Sequence, residues 1–170
     1  MKAVNLVYAI LAAAAVAIVA VPTALAEERK CRGGLSAVTV DNLKVPKGAT
    51  CTLNGTRVKG TIKVGRNATL IATNVKVVGN IQAENHRRVV VNGTRTRVGG
   101  SIQIVQGGSA TVRNAKVTGD VQLFENEGAL VVSTNRINGN LQCKENDQAP
   151  NGGGNVVQGN AEDQCEDLAL

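Results

Sequence analysis

Val77-Val78-Gly79-Asn80-Ile81-Gln82 and, sixty residues on, Ile137-Asn138-Gly139-Asn140-Leu141-Gln142 are one phrase, a glycine with an apolar residue two before it and another two after. The glycine returns at Gly60, Gly79, Gly100, Gly119, Gly139 and Gly159, at intervals of 19, 21, 19, 20 and 20 residues. A period near twenty, filled by short alternating stretches, is the mark of a solenoid in which each repeat packs against its neighbours.

Aligned on the glycines, the repeat resolves into columns. Two residues before stand Val58, Val77, Val98, Val117, Ile137 and Val157; two after stand Ile62, Ile81, Ile102, Val121, Leu141 and Ala161; four after stand Val64, Ala83, Ile104, Leu123 and Cys143. Even spacing puts such residues on one face of a strand, here the inward face. A further strand before each phrase offers Cys51 and Leu53, Leu70 and Ala72, Val89 and Val91, Ala110 and Val112, and Leu130 and Val132. Three short strands per repeat predict an all-β, right-handed parallel β-helix of about six coils with a roughly triangular cross-section. The right hand follows from a rhythm near twenty instead of a strict six-residue unit. Helical spacing is absent after Glu27, and β-branched residues, glycine and asparagine dominate. Gly and Asn at the corners are expected to supply positive φ angles.

The chain opens differently. Lys2, an apolar run from Leu6 to Val21 and Ala24-Leu25-Ala26 read as a signal peptide over residues 1–26, cleaved before Glu27 and leaving no membrane span. Residues 27–48 are expected to form an N-terminal cap with an incomplete first coil, 49–165 the coils and C-terminal cap, and 166–170 a tail. The four cysteines, Cys31, Cys51, Cys143 and Cys165, all follow the signal and read as two disulfides. Nearest-neighbour pairing, Cys31 with Cys51 and Cys143 with Cys165, staples both ends. No CxxC spacing supports zinc, and no cofactor is implied.

Charge is divided along the chain. Residues 27–119 carry sixteen Lys and Arg against four acids, a net +12, whereas residues 120–170 carry a net −7. Three residues before the glycines stand Arg57, Lys76, Arg97, Lys116 and Arg136, a cation in the same outward column of five consecutive repeats. This column is the candidate binding surface for an anionic cell-wall polymer or acidic glycan; shielding of strand edges by long charged stems is the competing structural role. Three residues after the glycines, Lys63, Gln82, Gln103, Gln122, Gln142 and Glu162 form a second outward column, in which stacked amides can hydrogen-bond along the axis.

Catalytic residues are few. His86, in the polar stretch Glu84-Asn85-His86-Arg87-Arg88, reads as a solvated loop histidine. Asp120, Glu125 and Glu127 near Arg97 or Lys116 offer the ingredients of a calcium-dependent polysaccharide lyase, without the insert loops that would shape a cleft.

The phrases at 77–82 and 137–143, with Gly-Gly-Gly-Asn-Val-Val-Gln-Gly-Asn at 152–160 and Asp-Gln-Cys at 163–165, resemble secreted bacterial right-handed β-helix proteins of unassigned function. A looser similarity is to the bactofilins, polymer-forming β-helices that assemble end to end. Neither resemblance carries an active-site motif. The expectation is a secreted, cell-surface or periplasmic, non-enzymatic structural or binding module with no specific nucleic-acid partner. A head-to-tail, self-associating scaffold is the alternative, and a small lyase-like enzyme a weaker one.

Overall fold

The inward columns predicted from alternation form the core of the computed structural model, which describes residues 27–170. The signal-peptide reading lies outside those residues. Three parallel sheets run the length of the described residues, one of eight strands and two of seven. We name them A, B and C in the order the chain visits them. The first coil consists of Glu28–Lys30, Gly33–Ser36 and Thr39–Val40, one strand for each sheet. The second consists of Asn42–Val45, Thr50–Asn54 and Arg57–Val58, and later coils repeat that order. About seven turns of roughly nineteen residues result, one more than the glycine count suggests. The additional coil is the one expected to be incomplete over residues 27–48, which has a strand in each sheet and carries Asp41 where later coils carry glycine: Gly60 N–H donates to Asp41 O as Gly79 N–H donates to Gly60 O.

Neighbouring coils stack in register. In sheet A, Ile62 pairs with Ile81 and Ile81 with Ile102; in sheet B, Leu70 pairs with Val89; in sheet C, Val58, Val77, Val98, Val117 and Ile137 form a continuous row. Leu43, Leu53, Ile62, Leu70, Ile81, Ile102, Ile104, Leu123, Ile137 and Leu141 are fully buried. A core built mainly of aliphatic side chains suits so narrow a tube.

The ends are tied as nearest-neighbour pairing predicts. Cys31 is bonded to Cys51, and Cys143 to Cys165. Cys51 and Cys143 occupy inward core positions, so each bridge fastens a terminal coil to the next from inside. Beyond the last sheet A strand, Ala161–Asp163, a 3-10 turn at Glu166–Leu168 buries Leu168. Asn155 Nδ2 donates to Leu168 O at 2.8 Å, and Leu170 N–H donates to Asn155 O at 2.8 Å.

The six recurring glycines have a different cause from the expected one, since none of them has positive φ. Left-handed residues sit instead at the other two corners. Gly55, Asn74, Gly93, Asn114, Thr134 and Gly154 follow the sheet B strands, and Asn67, Asn85, Gln106, Glu125 and Glu145 follow those of sheet A. The recurring glycines are needed for closeness. A Cβ at Gly79 would lie 2.7 Å from Thr61 Oγ1 and 2.9 Å from the Gly60 carbonyl oxygen, and one at Gly60, Gly100, Gly119, Gly139 or Gly159 would overlap the equivalent side-chain oxygen. Those oxygens, on Asn42, Thr61, Asn80, Ser101, Asp120 and Asn140, accept from the N–H following the glycine in the next coil, at 2.8–3.3 Å. Six stacked hydrogen bonds occupy the space that a β-carbon would fill.

Candidate functional site: a cationic column on sheet C

The sheet C strands are two residues long, an outward residue followed by a buried aliphatic one. Their register stacks Arg57 on Lys76, Lys76 on Arg97, Arg97 on Lys116 and Lys116 on Arg136. All five side chains are exposed. Thr39 precedes the row and Val156 follows it, so it has defined ends. The structure therefore brings together every residue of the predicted column.

The column is uncompensated among the described residues. The ion pairs there are Lys44–Glu28, Lys59–Asp41 and Lys144–Glu145, and none includes a column member. Neighbouring strands are about 4.8 Å apart, and two unit charges at that distance repel by about 1 kcal/mol in water. The sheet holds this unfavourable row in place because the backbone ladder sets the spacing. Arg97 is further constrained, its Nη1 donating to both Thr94 O and Thr96 O at 2.9 Å.

Shallow grooves flank the row. One, of about 340 Å³, is bordered by Thr94, Asn114, Thr134 and the side chains of Arg97, Lys116 and Arg136. The other, of about 330 Å³, is bordered by Lys76, Val78, Arg97, Gly99, Lys116 and Thr118. The walls are small hydroxyl, amide and methyl groups, with no aromatic side chain among them.

The second outward column also forms. Gln82 donates to Gln103, Gln103 to Gln122, Gln122 to Gln142, and Gln142 to the Glu162 carboxylate, at 2.8–3.0 Å. These amides satisfy one another, which gives the column a structural role. Phe124, the one aromatic residue among those described, borders the groove on this sheet A face, away from the cations.

His86 is not the solvated loop residue expected. It is 3% exposed, and neither ring nitrogen has a hydrogen-bond partner. Asn85 has φ of 51°, which turns the following side chain inward. The equivalent inward corner holds Ala68 in the preceding coil and Gly107 in the next, and a Cβ at Gly107 would collide with the imidazole. Burial lowers the His86 pKa from its ordinary value of 6.5, with a weaker opposing influence from the Ser109 backbone, which does not reach hydrogen-bonding geometry. The same corner buries Asn126 and Asn146 farther along, and the sheet B-to-C corner buries Asn135 and Asn155. Each of these asparagines donates Nδ2 to a carbonyl of the preceding coil, 22 or 23 residues back, on Ile104, Leu123, Val112 and Val132 respectively.

Asp120 is committed to the corner ladder, and Glu125 accepts from Gln106 at 2.8 Å. Among the described residues no three His, Cys, Asp or Glu side chains are grouped to hold a metal ion, and no helix is long and apolar enough to cross a membrane. The two disulfides point to an oxidising, extracytoplasmic environment. The chain matches no family model, no curated protein and no solved structure.

Proposed function

We propose that this protein is a secreted, non-enzymatic β-solenoid that serves at the cell surface as a binding module, contacting an anionic polymer along sheet C. The observation that carries this reading is the register of Arg57, Lys76, Arg97, Lys116 and Arg136, five exposed cations in a straight row with no carboxylate partner. A purely protective role for charged stems asks for no single file and is served as well by alternating signs. A straight row repels itself until a linear polyanion is laid on it.

Binding of this kind is governed by counterion release. With about 0.7 of a counterion released per contact on a flexible strand, five contacts give a slope of about −3.5 in log K against log salt. Raising salt from about 50 to 200 mM then weakens binding by up to about 100-fold, and by about 20-fold where only three of the cations meet an anionic group. Retention on immobilised acidic glycan, measured across that range, tests this for the natural chain and for a variant with all five cations changed to Gln. Equal retention of the two rejects the surface.

The opposite charges of the two halves favour the head-to-tail scaffold. The C-terminal end weighs against it, because Leu168 covers the last coil and Ala169 is bridged to Asn155 where an added strand would pair. Sedimentation at low and high salt distinguishes the two readings, and a salt-sensitive polymer would favour the scaffold.

A further inference from the structure

We infer that the sheet C column reads an extended acidic polysaccharide lying parallel to the solenoid axis, one sugar per coil, with carboxylates held by the arginines of alternate coils. This rests on the binding reading above and narrows it to one chemistry.

Spacing is the first argument. The cations recur at the strand separation of about 4.8 Å, and the backbone ladder does not let that distance adapt to a ligand. A strand of B-form DNA advances about 3.4 Å per phosphate along its axis, so its charges drift out of step with the column within two or three coils. An extended chain of 1,4-linked pyranoses advances per sugar by close to the strand spacing and stays in step over the whole row.

The order of residue types is the second. Reading Arg57, Lys76, Arg97, Lys116, Arg136, guanidinium and ammonium alternate without exception. In a two-fold ribbon of 1,4-linked uronic acids, successive carboxylates project to opposite edges, so those on one edge recur at every second sugar. Arginines recur at every second coil. Their planar forks suit bidentate pairing with a carboxylate. The lysines fall opposite the intervening sugars, whose carboxylates are turned away, and there a flexible ammonium with three donors can reach ring and hydroxyl oxygens.

The grooves supply the third. Thr94, Asn114 and Thr134 on one side and Thr118 on the other offer hydroxyl and amide groups to a hydroxyl-rich ligand. Single-stranded nucleic acid is ordinarily held by aromatic stacking platforms, and this face has none; Phe124 lies on sheet A. Arg97, at the centre of the row, already has one nitrogen anchored to two carbonyls, which reduces the freedom lost when its fork is engaged.

The test is calorimetric titration of the folded chain at low salt with β-1,4-linked oligomannuronates of two to eight sugars, beside charge-matched oligothymidylate and inorganic polyphosphate. Affinity is expected to climb to about five sugars, one per cationic coil, and then flatten, with both phosphate polymers about 10-fold weaker or worse. Changing Arg57, Arg97 and Arg136 together to Lys keeps every charge and is expected to cost about 10-fold or more, whereas Lys76→Arg with Lys116→Arg changes affinity less than about 3-fold. All five positions are exposed, so circular dichroism should show the fold intact in each variant. Phosphate polymers binding as tightly as uronates, or arginine and lysine exchanges that behave alike, would overturn the register and leave a generic cationic surface. If no polyanion binds at low salt, the parent reading falls with it.

Discussion

Gly79→Ala separates two explanations of the recurring glycine. If the glycine served backbone conformation, alanine would be mild here, because φ at this position is not in the left-handed region. Steric closeness predicts a large effect. The new methyl would lie 2.9 and 3.0 Å from the carbonyl oxygen and carbon of Gly60, which belong to the backbone ladder and cannot swing aside, and 2.7 Å from Thr61 Oγ1. Overpacking of this kind costs about 1–3 kcal/mol. Displacing Thr61 Oγ1 also forfeits its bond from Asn80 N–H, worth about 0.5–1.5 kcal/mol. The expected loss is about 2–4 kcal/mol, read in urea as a lower midpoint at unchanged m. Two controls come from the same chain. Gly34 has ordinary φ and nothing within 4 Å of an added Cβ, so Gly34→Ala should fall within about 0.5 kcal/mol of the natural protein. Gly55 has φ of +67° with its nearest neighbours at 3.9–4.0 Å, and Asn74 and Asn114 hold the same corner at φ of 54° and 53°, so Gly55→Asn should be tolerated. A Gly79→Ala protein as stable as Gly34→Ala would refute the steric account.

The buried imidazole makes stability depend on acid. Because burial lowers the His86 pKa in the folded state, its contribution is fully present above about pH 6.5, the unfolded value, and is lost as pH falls below that. His86→Ala, the residue already at positions 49 and 68 of the same corner, should flatten the stability difference between pH 7 and pH 5; an unchanged slope would show that other groups set it. Removing the C-terminal staple by Cys143→Ser with Cys165→Ser opens a loop with a sequence separation of 22. The chain-entropy estimate for such a loop is about 3 kcal/mol, and hydrogen exchange should show the loss concentrated in residues 155–170 rather than spread over the middle coils. Asn135→Leu removes the bond to Val112 O and leaves the Ala115 N–H without its acceptor, for a cost of about 2–4 kcal/mol by equilibrium denaturation.

How much of this was legible depended on which interactions have a sequence period. The strand alternation does, so the inward rows from Val58 to Ile137 and from Ile62 to Leu141 were readable, as were the outward rows of cations and glutamines. The disulfide pairing followed because a separation close to one coil puts two positions side by side. The first coil reads as incomplete because it lacks the glycine, with Asp41 in its place. His86, Asn126, Asn135, Asn146 and Asn155 were misjudged or missed for one reason: a polar residue at a corner looks like a turn residue, and only the coil stacked above turns that corner into an interior. A left-handed residue immediately before, such as Asn85, Glu125 or Glu145, is what turns the next side chain inward, yet Gln106 and Glu125 carry no composition signal for that conformation. The recurring glycine is plain in the sequence but its cause is not, since closeness to a neighbouring coil leaves no trace within a single repeat.

The last member of the glutamine row sets the direction of all the others. Each amide donates toward the C-terminal end and accepts from the opposite side, and Glu162, as a carboxylate, only accepts. Turning one amide over would set hydrogen against hydrogen at one neighbour and oxygen against oxygen at the other. The four glutamines therefore share one orientation and reverse together or not at all, and the charge on Glu162 decides which. A single carboxylate at the end of the molecule thus imposes a direction on a face four coils long. Glu162→Gln would make both directions available to the whole row at once.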